Sequence, residues 1–226
     1  MRKPGAMNRI RCAAFVSSPG REDLERAHDE VGMSRPDGWL SEARRRACPN
    51  WDERPPGVAV DLLVIHGISL PPGEFGGPWI HALFQNCLDP RAHPYFQDIA
   101  CLRVSSHLLI RRDGELIQYV DLRKRAWHAG ASSFEGRPAC NDFAIGIELE
   151  GTDQIPYEED QYRVLAQTTK NIQARFPAIG PGRIVGHGDI APGRKTDPGA
   201  AFDWEYFRAL VGTESRGQST TPIMMY

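Results

Sequence analysis

Two periodicities divide the chain between residues 58 and 210. Val58 to Ile65 is a nearly unbroken apolar run rich in β-branched residues, and it predicts a buried strand ending at His66. Val104 to Arg111 and Leu116 to Val120 predict two more strands, joined by a two-residue turn at Asp113-Gly114. Phe143 to Leu149 alternates: Ile145, Ile147 and Leu149 share one face, and Ala144, Gly146, Glu148 and Glu150 the other. Arg183 to Val185 predicts a short strand. Helical spacing governs the rest. Pro78 followed by Trp79, Ile80, Leu83 and Phe84 predicts a short amphipathic helix. Tyr162, Leu165, Ala166, Thr169, Ile172 and Phe176 mark a longer one, with Glu158, Glu159 and Asp160 at its N-terminal dipole. Asp203 suits the N-cap of a last helix reaching Leu210. Residues 88–101, Trp127 to Asn141 and the stretch around His187 read as loops.

Strands and helices interleave, so the expected fold is α/β: a single domain with a mixed central β-sheet flanked by α-helices. Residues 33–213 hold this domain. Residues 1–32 are polar and mixed in charge and read as a disordered extension, with Met33 an alternative start of translation. Residues 214–226 read as a loose tail.

Composition acts mainly by exclusion. The 226 residues are 41% apolar, enough for a sizeable core, and the net charge is −2. No basic stripe with interleaved aromatics is present, so a nucleic-acid partner is not expected. No apolar run approaches the roughly 20 residues that cross a bilayer. Cys12 to Val16, after four basic residues, is shorter than the roughly 7–15 apolar residues of a signal peptide. The five cysteines are odd in number and lack Cys-x-x-Cys spacing, which fits free thiols in a reducing compartment. These readings predict a cytoplasmic monomer acting on a small substrate.

The densest chemistry lies in Gly186 to Gly199, where His187, Asp189, Lys195 and Asp197 are interrupted by Gly and Pro. A zinc hydrolase needs three protein ligands and an open position for water. His66, His187 and Asp197 supply such a set, but spacing alone leaves His66, His107, His128 and His187 all open as imidazole ligands. Glu148 sits between Ile147 and Leu149. It is either a desolvated carboxylate with a raised pKa, suited to general-base work, or a residue on a solvated sheet face. Lys195 is either an oxyanion stabiliser or a surface lysine. Arg103 and Arg137 are carboxylate-clamp candidates, and Trp127 is a candidate for an apolar wall.

Several long motifs resemble the AmpD-type cytoplasmic amidases. They are Val64 to Gly77, Leu109 to Gly114, Arg125 to Gly130, Ile145 to Thr152 and Arg194 to Gly199, in that order. The resemblance runs from about Gly38 to Leu210. It implies hydrolysis of the amide between 1,6-anhydro-N-acetylmuramic acid and L-alanine in recycled peptidoglycan fragments. It also implies the amidase fold shared with peptidoglycan-recognition proteins. Zinc at His66, His187 and Asp197 is part of the same implication, with Glu148 and Lys195 catalytic and Gly67, Arg103, Trp127, His128 and Arg137 near the substrate. Three positions depart from the family pattern: Gly67 replaces Asn, Gly188-Asp189 replaces Cys-Asn, and Ala139 replaces Arg. A periplasmic amidase acting on intact wall and a binding module without catalysis are the alternatives. The first needs an export signal, and the second typically lacks metal ligands.

Overall fold

The computed structural model describes residues 38–212. The proposed extension at 1–32, Met33 and the tail at 214–226 lie outside them. In chain order the first elements are β1 (Arg44–Arg45), β2 (Trp51–Asp52), β3 (Leu62–Ile68), α1 (Trp79–Phe84), α2 (Phe96–Ile99), β4 (Leu108–Ile110) and β5 (Leu116–Gln118). Then come β6 (Arg125–Ala126), β7 (Ser133–Phe134), β8 (Arg137–Pro138), β9 (Ala144–Glu150), α3 (Glu159–Arg175), β10 (Ile184–Gly186), α4 (His187–Ile190) and α5 (Trp204–Gly212).

Six strands form one mixed sheet in the order β1-β5-β4-β9-β3-β10. The β4, β9, β3 and β10 neighbours are all parallel, and β5 is antiparallel to β4. Parallel strands are usually covered on both faces, and all seven residues of β9 are buried. On one face, Leu63, Ile65, Leu108, Ile145, Ile147 and Leu149 pack with Leu165, Ile172 and Phe207 of α3 and α5. Burying each such side chain contributes roughly 1.5–3 kcal/mol. On the other face, Leu109 and Ile117 pack with Ile80, Leu83 and Phe84 of α1.

The predicted strands form, with shifted ends. β3 starts four residues later than its apolar run and continues past His66 to Ile68. The β4–β5 hairpin turns through three residues, because Arg111 N–H donates to Glu115 O and Gly114 N–H to Arg111 O. Gly114 takes φ +83°, as a three-residue loop with a left-handed last position requires. The stretch 127–141 is not all loop, since β7 and β8 pair within it, and 88–101 includes α2. Asp203 does cap α5: its Oδ1 accepts the Tyr206 N–H at 2.8 Å. In α3 the cap is reciprocal in kind, with Glu158 N–H donating to Gln161 Oε1 at 3.0 Å. Gln161 Nε2 also donates to Glu150 O at 3.0 Å, which ties the helix to the end of β9.

Candidate metal centre and active site

Sheet register sets the first two functional groups side by side. His66 in β3 is the partner of Glu148 in β9, so both side chains project from the same face of adjacent parallel strands. β10 lies on the other side of β3, with Gly186 opposite Ile65, and the chain passes straight into α4 at His187. His187 therefore opens a one-turn helix, where the sequence had read a loop. The segment after α4 folds back, and Gly188 N–H donates to Asp197 O at 3.0 Å. A Cβ at Gly188 would stand 3.3 Å from Lys195 O, so glycine permits this close return. Glu148 is 8% exposed, which excludes the solvated-face reading.

Three donor atoms converge here. His66 Nδ1 is 2.9 Å from His187 Nδ1 and 3.3 Å from Asp197 Oδ2, and His187 Nδ1 is 3.1 Å from Asp197 Oδ2. Bonds of ~2.0–2.1 Å to a tetrahedral cation imply a ligand–ligand edge of ~3.3 Å, so the set fits a zinc-sized ion. The outer ring nitrogens support that fit. His187 Nε2 faces Ala129 O at 3.3 Å, and His66 Nε2 faces His128 Nδ1 at 2.9 Å. With both ring protons on Nε2, two bare Nδ1 lone pairs and a carboxylate oxygen meet around one point. Such a cluster repels itself unless a cation stands among the three.

The arrangement around the ligands is tightly held. A Cβ on Gly146 would lie 2.6 Å from the His128 ring, so this glycine makes room for the imidazole that orients His66. Asn141 Oδ1 accepts the backbone N–H of His128 and of Ala129, at 3.1 and 2.8 Å. Arg194 Nη2 donates to Ala129 O at 2.6 Å. No periodicity marks Asn141, Arg194 or Gly146 in the sequence as supports of this centre.

Burial lowers His66 to about 4; the hydrogen bond with Asp197 opposes this and the nearby His187 adds to it. Burial also holds His128 well below its ordinary value. Neutral imidazole is the metal-binding form. Burial likewise pushes Glu148 up to about 8, with the Asp197 carboxylate adding and Lys195 opposing. For Asp197, burial alone would raise the pKa, but hydrogen bonds with His187 and His66 reverse this and keep the group ionised.

His66, His187, Asp197, Glu148 and Lys195 line one cleft of about 550 Å³, together with Gly67, Trp127 and His128. Arg103 and Arg137 are not among its lining residues. The exposed Arg103 donates to Cys101 O and Leu102 O of its own loop. Arg137 pairs with Asp61 at 2.6 Å and stacks 3.8 Å over the Phe143 ring. His128 meets His66 through its ring nitrogen, so its first contact is a ligand. Gly67 contributes backbone only: a Cβ there would stand 2.5 Å from Tyr157 Oη, which donates to Pro198 O at 3.0 Å. Tyr157 thus occupies the space that a side chain at position 67 would need.

The family model for N-acetylmuramoyl-L-alanine amidase matches residues 56–200. The chain belongs to this amidase family. The 1,6-anhydro-N-acetylmuramyl-L-alanine amidase AmpD of Citrobacter freundii is 60% identical over 184 residues, covering 81% of this chain and 98% of that protein. The crystal structure of a Se-Met AmpD derivative matches with TM-score 0.77 and 61% identity, covering 79% and 99% of the two chains. AmpDh3 from Pseudomonas aeruginosa, solved in complex with anhydromuramic pentapeptide, matches with TM-score 0.50 and 29% identity over 73% and 63%. The mixed sheet with flanking helices is thus the amidase fold, as the sequence motifs implied. No helix among the described residues is long and apolar enough to cross a membrane.

Proposed function

We propose that this protein hydrolyses the amide between the lactyl carboxyl of 1,6-anhydro-N-acetylmuramic acid and L-alanine in peptidoglycan fragments, as a monomeric cytoplasmic step of wall recycling. One observation carries the reading: a three-donor cation site shares its cleft with a buried carboxylate and a lysine, in a chain 60% identical to an AmpD amidase. Thiols rather than disulfides at Cys48, Cys101 and Cys140 fit a reducing compartment.

His66, His187 and Asp197 would hold zinc, which when bound supplies Lewis acidity toward water and the scissile carbonyl. Glu148 acts in its ionised form, which the Lys195 ammonium and a cation held by the three ligands would favour against the effect of burial, and takes a proton from the attacking water as its oxygen bonds to the carbonyl carbon. The same carboxyl then gives that proton to the alanine nitrogen as the C–N bond breaks, and the second water proton passes from the new muramyl carboxyl to the released amine, leaving a carboxylate and an ammonium. The Lys195 ammonium stabilises the tetrahedral oxyanion. His128 keeps the His66 ring turned so that Nδ1 faces the cation site. Trp127 forms part of the wall against which the sugar rests.

Replacing Glu148 with Gln tests this directly. Turnover of anhydromuramyl-tripeptide is expected to fall by about 10²–10⁴, with zinc content unchanged. Wild-type turnover would overturn the base assignment. Comparing anhydromuramyl with reducing-end muramyl peptides tests the sugar specificity, and equal rates would remove the anhydro preference.

A further inference from the structure

The three cation-site residues are not held alike. His66 lies within β3, which pairs with β9 on one side and β10 on the other, and His187 opens α4 directly after β10. Asp197 lies in the irregular stretch between α4 and α5. A ligand on such a stretch keeps its geometry only if groups outside it hold it in place.

Those groups come from the loop between β9 and α3, and they bracket the ligand. Thr196, just before Asp197, donates its Oγ1 proton to Asp153 Oδ2. Pro198, just after it, accepts at its carbonyl oxygen from Tyr157 Oη at 3.0 Å. Asp153 O also accepts the Ala201 N–H at 3.0 Å, and a Cβ at Gly199 would stand 2.2 Å from Asp153 Cα, so the two segments are in close backbone contact. Tyr157 is itself fixed. It is 6% exposed, its ring fills the space left by Gly151, where a Cβ would lie 2.3 Å away, and it meets the Phe202 ring edge-on at 5.6 Å. It is not among the described residues that line the cleft.

We propose that Tyr157 is a positioning residue of the metal centre. Its hydroxyl, with Asp153 as the second brace, holds Thr196-Asp197-Pro198 so that Asp197 Oδ2 stays at the point shared with the two Nδ1 atoms. The same brace fixes the backbone that carries Lys195. The inference rests on the reading of His66, His187 and Asp197 as zinc ligands.

Chelator competition on the zinc-loaded protein tests it. Tyr157→Phe keeps the ring and deletes the hydroxyl, and zinc affinity is expected to fall about tenfold or more. The absorption spectrum of the cobalt-substituted variant should change with it. Tyr162→Phe is the control: it deletes a second tyrosine hydroxyl, which accepts the Asp203 N–H at 2.6 Å away from the ligands. It should lower the unfolding temperature and leave zinc affinity unchanged. Thr196→Val, at an exposed position that folding tolerates, should weaken zinc binding by a smaller factor, and Thr196→Ser should restore it. Wild-type zinc affinity in both Tyr157→Phe and Thr196→Val would overturn the proposal. So would an equal loss in Tyr162→Phe, which would make the effect one of general stability. A wild-type protein that takes up no zinc would instead overturn the metal assignment, and the brace with it.

Discussion

The two cavities of this molecule differ in how their polar groups are placed. In the amidase cleft, acceptors are in excess: two imidazole lone pairs and a carboxylate oxygen lie within 3.3 Å of one another. In the walls of a second cavity, lined by Arg44, Arg46, His81, Arg111 and Tyr119 among others, the unpartnered polar atoms are closed off from solvent: the Tyr119 hydroxyl, Arg112 Nη1 and His81 Nδ1 have no protein partner. The lesson is that the placement of unpartnered polar atoms decides whether a ligand can complete them. Surplus acceptors that converge on one open point call for a cation, whereas unpartnered atoms shut inside the wall of a cavity meet no ligand and only cost stability.

The largest effect should come from removing charge on the acceptor side. Asp197→Asn is expected to take zinc content from one ion per chain toward none, measured by elemental analysis, and to cut amide hydrolysis by about a thousandfold or more. A variant that kept both its ion and its rate would break the contrast at its strongest point. Next comes Gly146→Ala, which puts a methyl group where the His128 ring lies. With the imidazole displaced, His66 loses its outer partner, and zinc affinity in a chelator competition should fall about 10–100-fold. Unchanged affinity would show that His128 does not orient the ligand.

Protons probe the acceptor-rich side as well. His66 falls to about 4 and His107 to about 3, both through burial, with Arg54 adding for His107. Between those values and ~6.5 the unfolded chain binds more protons than the folded one, so stability is lost as pH falls below ~6.5. Each such histidine contributes a slope of about 1.4 kcal/mol per pH unit. Denaturant titrations at pH 7 and pH 5 measure it, and equal stability would mean these imidazoles are charged in the folded protein. The smallest effect lies at the second cavity. Tyr119→Phe should be neutral or stabilising by about 1 kcal/mol, because it deletes a buried unpartnered hydroxyl, and a marked loss of stability would show that the hydroxyl is satisfied after all.

Much of the fold was legible in the chain. The runs at Val58–Ile65 and Phe143–Leu149 became the central strands Leu62–Ile68 and Ala144–Glu150, and the helical spacing from Tyr162 to Phe176 became the buried stripe of α3, with Phe176 at its C-cap. Short elements were not legible, because β1, β7 and β8 are two residues each and owe their existence to a partner strand. At the site, Glu148 was visible as a carboxylate in an apolar strand, yet alternation could not say whether its face was wet. The coverage of both sheet faces decided that. Arg103 and Arg137 had the right chemistry for a carboxylate clamp, but neither lines the cleft, and Arg137 is ion-paired with Asp61.

By itself the sequence determined the order of the longer strands and helices, the motifs of the amidase family and the residue types able to bind zinc and move a proton. It could do so because periodicity and motif are local properties. Only the tertiary structure decided that His66 stands beside Glu148 and that His128 backs His66 across Gly146. Those facts depend on strand register and on where loops return, which are set by packing between segments far apart in the chain.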